Sequence, residues 1–271
     1  MYLNPKWRIL TVGDGDLSFS NAISHTIKPA LLVASTFDSA ATIEKKYPDN
    51  ALANLKANKI EVINEFDVTN THCWEGLRKY LNSFDVVIFQ FPLIPAFVGR
   101  KAYESSAQHS SMNTLNRALL HQFIKYATHY ALDKNGPMLC YITSKDVKPY
   151  REWNIEGSLN QHLDSQYCGQ MQFDITRFAG YKIRNVDRDK HVKDTSGITY
   201  VFSPKDINAH AYELARNISK PAYLKTNYCS LCRVGPFHAI EDESKHLAAK
   251  KHQQMLAFER DWQQWLTTFY S

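Results

Sequence analysis

The sequence lacks an apolar window long enough to cross a bilayer, and the residues around Asn4, Pro5 and Lys6 contain no apolar core of a signal peptide. Its 5 cysteines are too few and too scattered for a disulfide framework, although Cys229 and Cys232 are close together. Internal repeats and low-complexity tracts are also absent. These absences argue against a membrane-spanning or disulfide-stapled secreted protein, and we expect a soluble intracellular protein with no membrane partner.

The size and charge of the chain set only broad limits. Its 271 residues exceed the usual size of a single core and suit one α/β domain of ordinary size with a small appendage. The formal net charge of +5 is a weak indication of a polyanionic partner, since the placement of charges matters more than their sum. The order of the predicted elements is more informative.

Short β-rich apolar runs alternate with helical patterns or turn signals along the first two hundred residues. The runs cover residues 8–12, 31–36, 60–64, 85–91, 138–143 and 198–203. An apolar stripe at helical spacing predicts one long amphipathic helix over 110–132, which we assign to the core. The stripe consists of Leu115, Leu119, Leu120, Phe123, Ile124 and Ala127. Because an open parallel sheet binds its ligand at the carboxyl ends of its strands, the residues after each run are the candidate site.

The first run is followed by Gly13-Asp14-Gly15-Asp16-Leu17-Ser18, a turn that exposes backbone N–H groups to a nucleotide-like cofactor. A nicotinamide dinucleotide is one candidate, but Ser18 replaces the third glycine of its fingerprint. Asp14 and Asp16 would also repel a pyrophosphate, whereas S-adenosylmethionine carries an ammonium group and a ribose but no phosphate. The residues favour this methyl donor, with an ordinary tight turn capped by Asp16 or Ser18 as the alternative without a ligand.

Acidic residues also follow the second and third runs. Thr36-Phe37-Asp38 comes after the second run, and its carboxylate lies 23 residues (38 − 15) beyond the second glycine of the turn. This is close to the spacing of the carboxylate that holds a ribose diol. Asp67 and Val68 follow the third run. The candidate cofactor residues therefore come from three successive strand ends.

Eight segments of the chain carry a resemblance to one known family. They are Gly13-Asp14-Gly15-Asp16-Leu17-Ser18-Phe19-Ser20, Ser35-Thr36-Phe37-Asp38-Ser39, Lys46-Tyr47-Pro48, Asn54-Leu55, Phe66-Asp67-Val68-Thr69, Phe84-Asp85-Val86-Val87-Ile88-Phe89-Gln90-Phe91-Pro92, Pro149-Tyr150-Arg151-Glu152-Trp153 and Gly180-Tyr181-Lys182. In these segments the chain resembles the Rossmann-like domain of 25S ribosomal RNA uridine-N3 methyltransferases, in register from about residue 8 to residue 202. The Ser-Phe-Ser ending of the first segment is quite specific to that family.

The resemblance implies a class I methyltransferase: an α/β fold with a mostly parallel seven-stranded sheet and helices on both faces. It implies S-adenosylmethionine as methyl donor and N3 of a uridine in structured RNA as acceptor, with ribosomal RNA as the first partner and transfer RNA as an alternative. The cofactor-binding residues are then Gly13, Asp14, Gly15, Asp16, Ser18, Phe19, Ser20, Thr36, Phe37, Asp38, Asp67 and Val68. The expected location is the cytoplasm in a bacterium and the nucleus or nucleolus in a eukaryote.

The fourth strand end departs from the family. Where the family usually has Asn-Phe-Pro-His, this chain has Gln90-Phe91-Pro92-Leu93, and the resemblance makes Gln90, Phe91 and Pro92 the candidate catalytic residues that hold a flipped base. Gln90 can still offer an amide to the uracil edge, whereas Leu93 cannot replace an imidazole. Because N3 must lose its proton, the missing histidine bears on turnover. The other candidate bases are Lys145, Asp146 and His109, among which the sequence does not choose.

A metal-binding pattern lies near the C-terminus. Cys229 and Cys232 are followed by His246 and His252 in the spacing C-x2-C-x13-H-x5-H, close to that of two-cysteine, two-histidine zinc sites. Four protein ligands would close the coordination sphere, so the predicted zinc is structural. Histidines six residues apart lie about 240° around an ideal helix, so the helix must tighten or bend between them.

The pattern resembles RNA-binding matrin-like and U1-like zinc fingers, with Phe237 and Leu247 as a miniature core. Lysines on or near the finger helix can meet phosphates: Lys245, Lys250 and Lys251. A second basic run, which is either an RNA contact or a solvated face, consists of Arg177, Lys182, Arg184, Arg188, Lys190 and Lys193. The apolar tail predicts a helix that packs back on the main domain or binds a partner; it contains Leu256, Phe258, Trp262, Trp265, Leu266 and Phe269.

We therefore predict three segments: a Rossmann-like methyltransferase domain over 1–204, a linker with a helix over 205–226, and a two-cysteine, two-histidine finger with a C-terminal helix over 227–271. Two functions follow. The first is an S-adenosylmethionine-dependent RNA methyltransferase. The second is a catalytically weak RNA-binding protein that keeps the methyltransferase fold and the zinc finger. We expect a monomer in either case.

Overall fold

The computed structural model describes residues 1–94, 110–184 and 196–271. Within these residues the strands are β1 (Arg8–Val12), β2 (Leu31–Ser35), β3 (Glu61–Ile63), β4 (Val86–Gln90), β5 (Leu139–Ser144), β6 (Gln166–Phe173) and β7 (Gly197–Ser203). They form a 7-stranded sheet in the order β3-β2-β1-β4-β5-β7-β6. The pairs among β1 to β5 are parallel, and β7 runs antiparallel to both β5 and β6.

The described helices connect and cover these strands. They are α1 (Ser18–Thr26), α2 (Ala40–Lys46), α3 (Leu52–Ala57), α4 (Thr71–Glu75), α5 (Met112–Tyr126), α6 (Ile155–Ser158), α7 (Ile207–His210), α8 (Tyr212–Ala215), α9 (Ile240–Ala248) and α10 (Lys250–Tyr270). A π-helical turn over Ala127–Ala131 extends α5, and 3₁₀ turns cover Arg78–Tyr80, Tyr150–Trp153, Ile175–Arg177 and Ala222–Leu224.

Two apolar clusters lie on the two faces of the sheet. One contains Leu120 and Phe123 of α5 together with Trp74 of α4. The other contains Phe19 of α1 and Leu214 of α8. All of β4 and β5 is buried, as expected for central strands covered on both faces. The predicted fold, a mostly parallel seven-stranded sheet with helices on both faces, is confirmed.

An ion-pair network joins the amino ends of the central strands. Arg8 Nη2 donates to Asp85 Oδ1 at 2.9 Å and to Asp133 Oδ2 at 2.8 Å. The Arg8 backbone N–H also donates to Asp85 Oδ2 at 2.8 Å. These contacts fix the register of β1 beside β4 at the edge of the sheet opposite the candidate site.

Some elements differ from the sequence prediction. The six predicted runs leave out β6, whose exposure alternates along the strand and whose ladder shifts register between Tyr167 and Gly169. The helix predicted over 110–132 is an α-helix to Tyr126 and a π-helical turn beyond it. Within the predicted linker with a helix, Ile207 and Leu214 are buried against the sheet and Ser219 pairs with β6.

Candidate active site

A cavity of about 660 Å³ opens at the carboxyl ends of β1, β2 and β4. One side, the loop half, is lined by Gly13, Asp14, Gly15, Asp16, Thr36, Phe37, Asp38, Lys46, Tyr47, Phe66, Asp67, Val68, Thr69, Tyr181, Lys182, Ile183 and Arg184. The other side, the helix half, is lined by Phe89, Gln90, Phe91, Pro92, Leu93, Ile94, Leu115, Ala118, Leu119, Gln122 and Trp265. The volume lies within the range of small-molecule sites, which is roughly 300–1,000 Å³.

The turn after β1 has a backbone that only glycine adopts without strain at its first position. Gly13 has φ +65°, and a Cβ there would lie 2.5 Å from Cε2 of Phe89. The next residue, Asp14, donates its backbone N–H to the carbonyl of Ser35 at 3.0 Å. The turn is thus bound to the end of β2, and it lines the cavity with its backbone.

The Asp14 carboxylate lies between the cavity and the first turn of α1. Its Oδ2 accepts hydrogen bonds from the backbone N–H of Ser20 at 2.7 Å and from Ser20 Oγ at 2.5 Å. Burial, followed by the negative charge of Asp16, raises the pKa of Asp14 to about 7. Asp14 therefore titrates near neutral pH.

Three predicted cofactor residues support the turn and, within the described residues, do not line the cavity. Ser18 Oγ accepts the backbone N–H of Lys182 at 3.1 Å. The Phe19 ring lies 5.0 Å from that of Tyr181, a residue that does line the cavity. Ser20 bonds Asp14, as described above. The Ser-Phe-Ser segment therefore holds the turn against the loop that closes the far side of the cavity.

Asp16 is paired with an arginine that the sequence analysis assigned to the basic run. Arg184 Nε donates to Asp16 Oδ2 at 2.6 Å, and Arg184 Nη2 donates to Asp49 Oδ1 at 2.5 Å. Lys182 Nζ also contacts Asp49. Arg184 therefore compensates the negative charge of Asp16, which we expected to repel a pyrophosphate. The charge of Asp16 does not exclude a dinucleotide.

The basic run itself is largely an internal network where the structure describes it. Besides Lys182 and Arg184, Arg177 donates from Nη1 to the backbone carbonyl of Met1 at 3.1 Å. Arg188, Lys190 and Lys193 lie outside the described residues. The RNA contact predicted for this run stays a prediction.

The loops after β2 and β3 bring further predicted residues to the loop half. Phe37 is 57% exposed beside the cavity, and Asp38 Oδ2 accepts from Lys46 Nζ at 3.3 Å. Asp67 Oδ1 accepts from the backbone N–H of Thr69 at 2.8 Å. Buried Trp74 donates from Nε1 to the carbonyl of Val68 at 2.9 Å, which fixes the loop. Thr36 also lines this half, as predicted.

Gln90 is the last residue of β4 and the most unusual polar group of the helix half. Its side chain is buried, and neither Oε1 nor Nε2 has a hydrogen-bond partner among the described residues. A buried polar group left without a partner costs about 1–3 kcal/mol. Such an amide is tolerated where a ligand supplies the missing bonds.

Phe91 follows in a strained backbone conformation. Its φ is +48°, although its backbone N–H still donates to the carbonyl of Thr143 at 2.9 Å. The ring packs edge-on against Phe173 at 5.5 Å. A left-handed conformation costs a non-glycine residue about 1–2 kcal/mol, and such strain concentrates at functional sites. Pro92 is buried after it, and Leu93 gives the cavity an apolar side chain.

The other candidate bases do not reach the cavity within the described residues. Asp146 accepts from Arg151 Nε at 2.7 Å and from Arg233 Nη1 at 3.1 Å, and the hydrogen bond from Arg151 lowers its pKa. Neither Asp146 nor Lys145 lines the cavity, so neither is placed to take a proton from a base there. His109 lies outside the described residues.

The predicted metal ligands meet in one cluster. The ligand atoms of Cys229, Cys232, His246 and His252 all lie within 4.8 Å of one another. Each cysteine Sγ lies 3.5 Å from Nδ1 of His252. Nε2 of His246 is buried without a hydrogen-bond partner among the described residues, as a nitrogen that faces a metal would be. The donor set and this orphaned atom fit a tetrahedral zinc ion.

The predicted strain between the two histidines is relieved by a break in the helix. Helix α9 ends at Ala248, Ala249 is extended with ψ 143°, and α10 starts at Lys250. His246 and His252 therefore come from two helices. The predicted miniature core is only half right: the Phe237 ring lies 5.4 Å from that of His246, but Leu247 is 42% exposed and does not form a core.

Arg233, the residue after Cys232, packs the cluster of cysteines and histidines against the main domain. Arg233 is mostly buried; its Nη2 lies 2.8 Å from Glu156 Oε1 and donates to Tyr200 Oη at 3.2 Å. Its guanidinium lies 5.0 Å from the ring centre of Tyr223. This role of Arg233 was not predicted, because nothing in the local sequence distinguishes Arg233 from a surface arginine.

The apolar tail packs back on the main domain, as predicted. Helix α10 buries Trp262 and Leu266 against Ala118 of α5. Arg117, whose side chain is fully buried, donates from Nη2 to Glu259 Oε1 at 2.5 Å. Through Trp265 the same helix reaches the cavity, which the sequence did not predict.

The order of the strands, with β7 antiparallel, and a cavity at the carboxyl ends of the first strands define the fold of the class I methyltransferases. Residues 10–185 match the sequence model of the BMT5-like family, described as rRNA (uridine-N3-)-methyltransferase BTM5-like, and the chain belongs to this family. Among the described residues, no helix is both long and apolar enough to span a membrane.

Two curated relatives share this part of the sequence. The chain is 30% identical over 184 residues to Heavy metal-associated isoprenylated plant protein 41 of Arabidopsis thaliana, over 66% of this chain and 33% of that protein. It is 30% identical over 215 residues to the Ferredoxin-fold anticodon-binding domain-containing protein 1 homolog of Mus musculus, over 72% of this chain and 31% of that protein. The chain spans about a third of the length of these relatives.

Solved structures with a similar fold include TrmN from Thermus thermophilus, at 13% identity and a TM-score of 0.42, over 74% of this chain and 44% of that one. Spermidine synthase from Thermotoga maritima is similar at 15% identity and a TM-score of 0.38, over 90% of this chain and 68% of that one.

Proposed function

We propose that this chain transfers a methyl group from S-adenosylmethionine to N3 of a uridine in structured RNA, with ribosomal RNA as the first candidate and transfer RNA as the alternative. The observation that carries the proposal is the buried amide of Gln90, which has no hydrogen-bond partner among the described residues and lies on the wall of a cavity whose opposite side suits the donor. A site of this kind reads a nucleobase edge by hydrogen bonds that only the correct base completes.

The loop half would hold the donor. Backbone N–H groups of the turn at residues 13–16 suit its carboxylate, and the Asp38 carboxylate suits the ribose hydroxyls. Asp67 and Val68 would meet the adenine, for which Phe37 offers an exposed ring. When bound, S-adenosylmethionine supplies an electrophilic methyl group. Ser18, Phe19 and Ser20 would act by holding the turn in place.

The helix half would hold the acceptor base. Gln90 Nε2 can donate to O2 or O4 of a uracil, the two oxygens that carry most of the negative charge once N3 has lost its proton. The transfer forms an N3–C bond and breaks the C–S bond of the donor, while the N3 proton leaves the base. Since the helix half has no titratable side chain among its described residues, we expect this proton to pass to water.

The segment over 227–271 would bind RNA around a structural zinc ion. The ion would be held by Cys229, Cys232, His246 and His252. These four ligands would fill its coordination sphere and leave no open position for a catalytic water. Lys245, Lys250 and Lys251 are exposed beside it and suit phosphates. Contacts of this kind position an RNA more than they select its sequence.

A second candidate function is RNA binding with little or no methyl transfer. The observation that favours it is the apolar Leu93 at the end of β4, where the family usually has histidine, in a half-cavity whose described residues supply no base. Both functions share the donor site and the RNA-binding segment, and they differ in the acceptor side alone.

Calorimetric titration with S-adenosylmethionine, followed by tritium transfer to total ribosomal RNA and to transfer RNA, tests both functions. Donor binding with label in RNA supports methyl transfer, and mapping of the labelled nucleoside tests uridine N3. Donor binding without label favours the second function, and absence of donor binding contradicts both.

Two matched variants test the role of Gln90. Gln90→Leu should keep the donor affinity and lower the transfer rate about 100-fold, because it removes a donor that acts where charge develops. Gln122→Leu is the control: Gln122 lines the same half, but its Nε2 already donates to the carbonyl of Ala118 at 3.1 Å. Equal losses in the two variants would contradict a specific role for Gln90.

A further inference from the structure

Helix α10 spans 21 residues, from the metal cluster to the helix half of the cavity. His252 stands in its first turn, and Trp265 lies 13 positions (265 − 252) further along the helix. At about 1.5 Å per residue, these positions are about 20 Å apart along the axis. One continuous helix therefore carries both a metal ligand and a wall of the cavity.

Trp265 lines the cavity, and its ring is stacked between two other aromatic rings. The ring stacks on Trp262 at 5.0 Å and 9° and on Phe269 at 4.7 Å and 16°. Because Trp262 precedes it by about one helical turn and Phe269 follows it by about one turn, the two partners cover opposite faces of the indole. The remaining part of the indole is its edge, which carries the positive end of the ring quadrupole.

The helix that carries Trp265 is anchored at two places beside this stack. Trp262 Nε1 donates to Gln161 Oε1 at 3.0 Å. Asp261 Oδ2 accepts from the backbone N–H of Ser111 at 2.9 Å and from Thr114 Oγ1 at 2.6 Å, which caps the start of α5. The contacts of Asp261 tie α10 to α5, the same helix that lines the cavity with Leu115 and Leu119.

We propose that Trp265 is a specificity-determining residue of the acceptor site: its edge contacts the face of the methyl-acceptor base and fixes the plane of that base against Gln90. This inference rests on the proposed function. Once N3 has lost its proton, the face of the uracil is electron-rich and suits an aromatic edge, and an anchored indole sets one orientation. Contact with the donor is not required, since Trp265 lines the helix half alone.

The 271-residue chain and three variants of it test this proposal. Trp265→Ala removes the wall, Trp265→Phe keeps an aromatic ring, and Gln264→Ala changes the neighbouring exposed residue of α10. Binding of S-adenosylhomocysteine by calorimetry reports the loop half and the integrity of the fold. Tritium transfer to total ribosomal RNA gives kcat and KM.

We expect all four proteins to bind S-adenosylhomocysteine within about twofold of one another. Trp265→Ala should lose about tenfold in kcat/KM for RNA, since a misplaced base loses its alignment with the methyl group. Trp265→Phe should recover part of this loss, and Gln264→Ala should match the wild type. Normal transfer by Trp265→Ala would overturn the proposal, and so would a loss of transfer that only follows a loss of S-adenosylhomocysteine binding.

If the wild-type protein binds the donor but labels no RNA, the proposed function is contradicted. That result alone does not contradict the contact between Trp265 and the base. Binding of hexauridylate in the presence of S-adenosylhomocysteine then decides the proposal. Trp265→Ala should weaken this binding severalfold while Gln264→Ala leaves it unchanged. Equal hexauridylate affinity in wild type and Trp265→Ala would overturn the contact.

Discussion

The two halves of the cavity are built from different kinds of sequence. The loop half comes from short loops that directly follow β1, β2 and β3, together with one loop near residues 181–184. The helix half combines the end of β4 with α5 and α10, elements that are far apart along the chain. The first half depends on local backbone geometry, whereas the second depends on how the C-terminal helix docks.

The halves also differ in charge. The loop half holds several carboxylates, and two of them have cationic partners: Asp16 with Arg184 and Asp38 with Lys46. The helix half is apolar except for Gln90 and Gln122, of which Gln90 alone lacks partners among the described residues. A polar, preorganised half suits a charged donor, and an apolar half with one unpaired amide suits an uncharged planar base.

Disruption of the cysteine–histidine cluster should give the largest difference between the two halves of the cavity, because it should affect RNA binding and not donor binding. Cys232→Ser, or treatment of the full chain with a chelator, should unfold the segment around residues 229–252, because structural zinc contributes roughly 10 kcal/mol to small domains. RNA affinity and methyl transfer should fall about 100-fold, since His252 lies in the first turn of the helix that carries Trp265. Donor affinity should change by no more than about twofold.

Cys168→Ser is the matched control, because Cys168 lies on β6 outside the cluster. Calorimetry with the donor and filter binding with total ribosomal RNA measure the two affinities. A donor affinity that falls as much as the RNA affinity would show that the halves are not independent.

Gly13→Ala should break the loop half. A side chain at φ +65° costs about 1–2 kcal/mol, and a Cβ 2.5 Å from Phe89 adds a clash of about 1–3 kcal/mol. The sum of about 3 kcal/mol corresponds to a loss of about 100-fold in donor affinity or an equal loss in stability. Calorimetry and thermal unfolding distinguish the two.

Gly180→Ala is the control for Gly13→Ala. Gly180 has φ +86°, but nothing lies within 4 Å of a Cβ built there. It should lower the free energy of unfolding by about 1 kcal/mol and leave donor affinity unchanged. If Gly13→Ala behaves like Gly180→Ala, the contact with Phe89 does not shape the turn.

The contrast between the halves explains how much the sequence could predict. Strand ends are visible as apolar runs, and Asp38, Asp67 and Gln90 lie at or shortly after such ends, so all three were assigned to the site and all three line the cavity. The spacing of cysteines and histidines likewise predicted that Cys229, Cys232, His246 and His252 come together.

The remaining features depend on tertiary contacts that leave no local pattern. Trp265 belongs to the apolar tail, which correctly predicted packing, but the composition of the tail does not show that Trp265 reaches the cavity. Leu115 and Leu119, assigned to the core by their helical spacing, line the cavity. The pairing of Asp16 with Arg184 was hidden for the same reason.

Asp38→Ala should weaken donor binding by about tenfold, since a hydrogen bond to a charged group contributes about 1.5–3 kcal/mol and Lys46 remains nearby. Asp38→Asn should lose less, because its side-chain oxygen still accepts a ribose hydroxyl. Glu61→Ala, a substitution of an exposed carboxylate on β3 outside the cavity, is the control. Calorimetry that gives equal donor affinities for Asp38→Ala and Glu61→Ala would place the ribose elsewhere.

The smallest expected effect concerns the charge of Asp14. Its pKa is raised to about 7 by burial and by Asp16, so the carboxyl is protonated below neutral pH and ionised above it. A cationic ammonium group of the donor favours the ionised form. Donor affinity should therefore rise a few-fold between about pH 6 and pH 8 and level off above that, with protons released on binding at the lower pH.

The raised pKa of Asp14 makes the stability of the fold change with pH in the opposite direction to the donor affinity. Because the folded protein holds this proton more tightly than the unfolded chain, the contribution of Asp14 to stability is full at low pH and is lost as the pH rises through about 7. Asp14→Asn should flatten both dependences while leaving the helix half unaffected. Calorimetry in two buffers with different ionisation enthalpies measures the released protons. An unchanged proton release in Asp14→Asn would assign the titration to another group of the loop half.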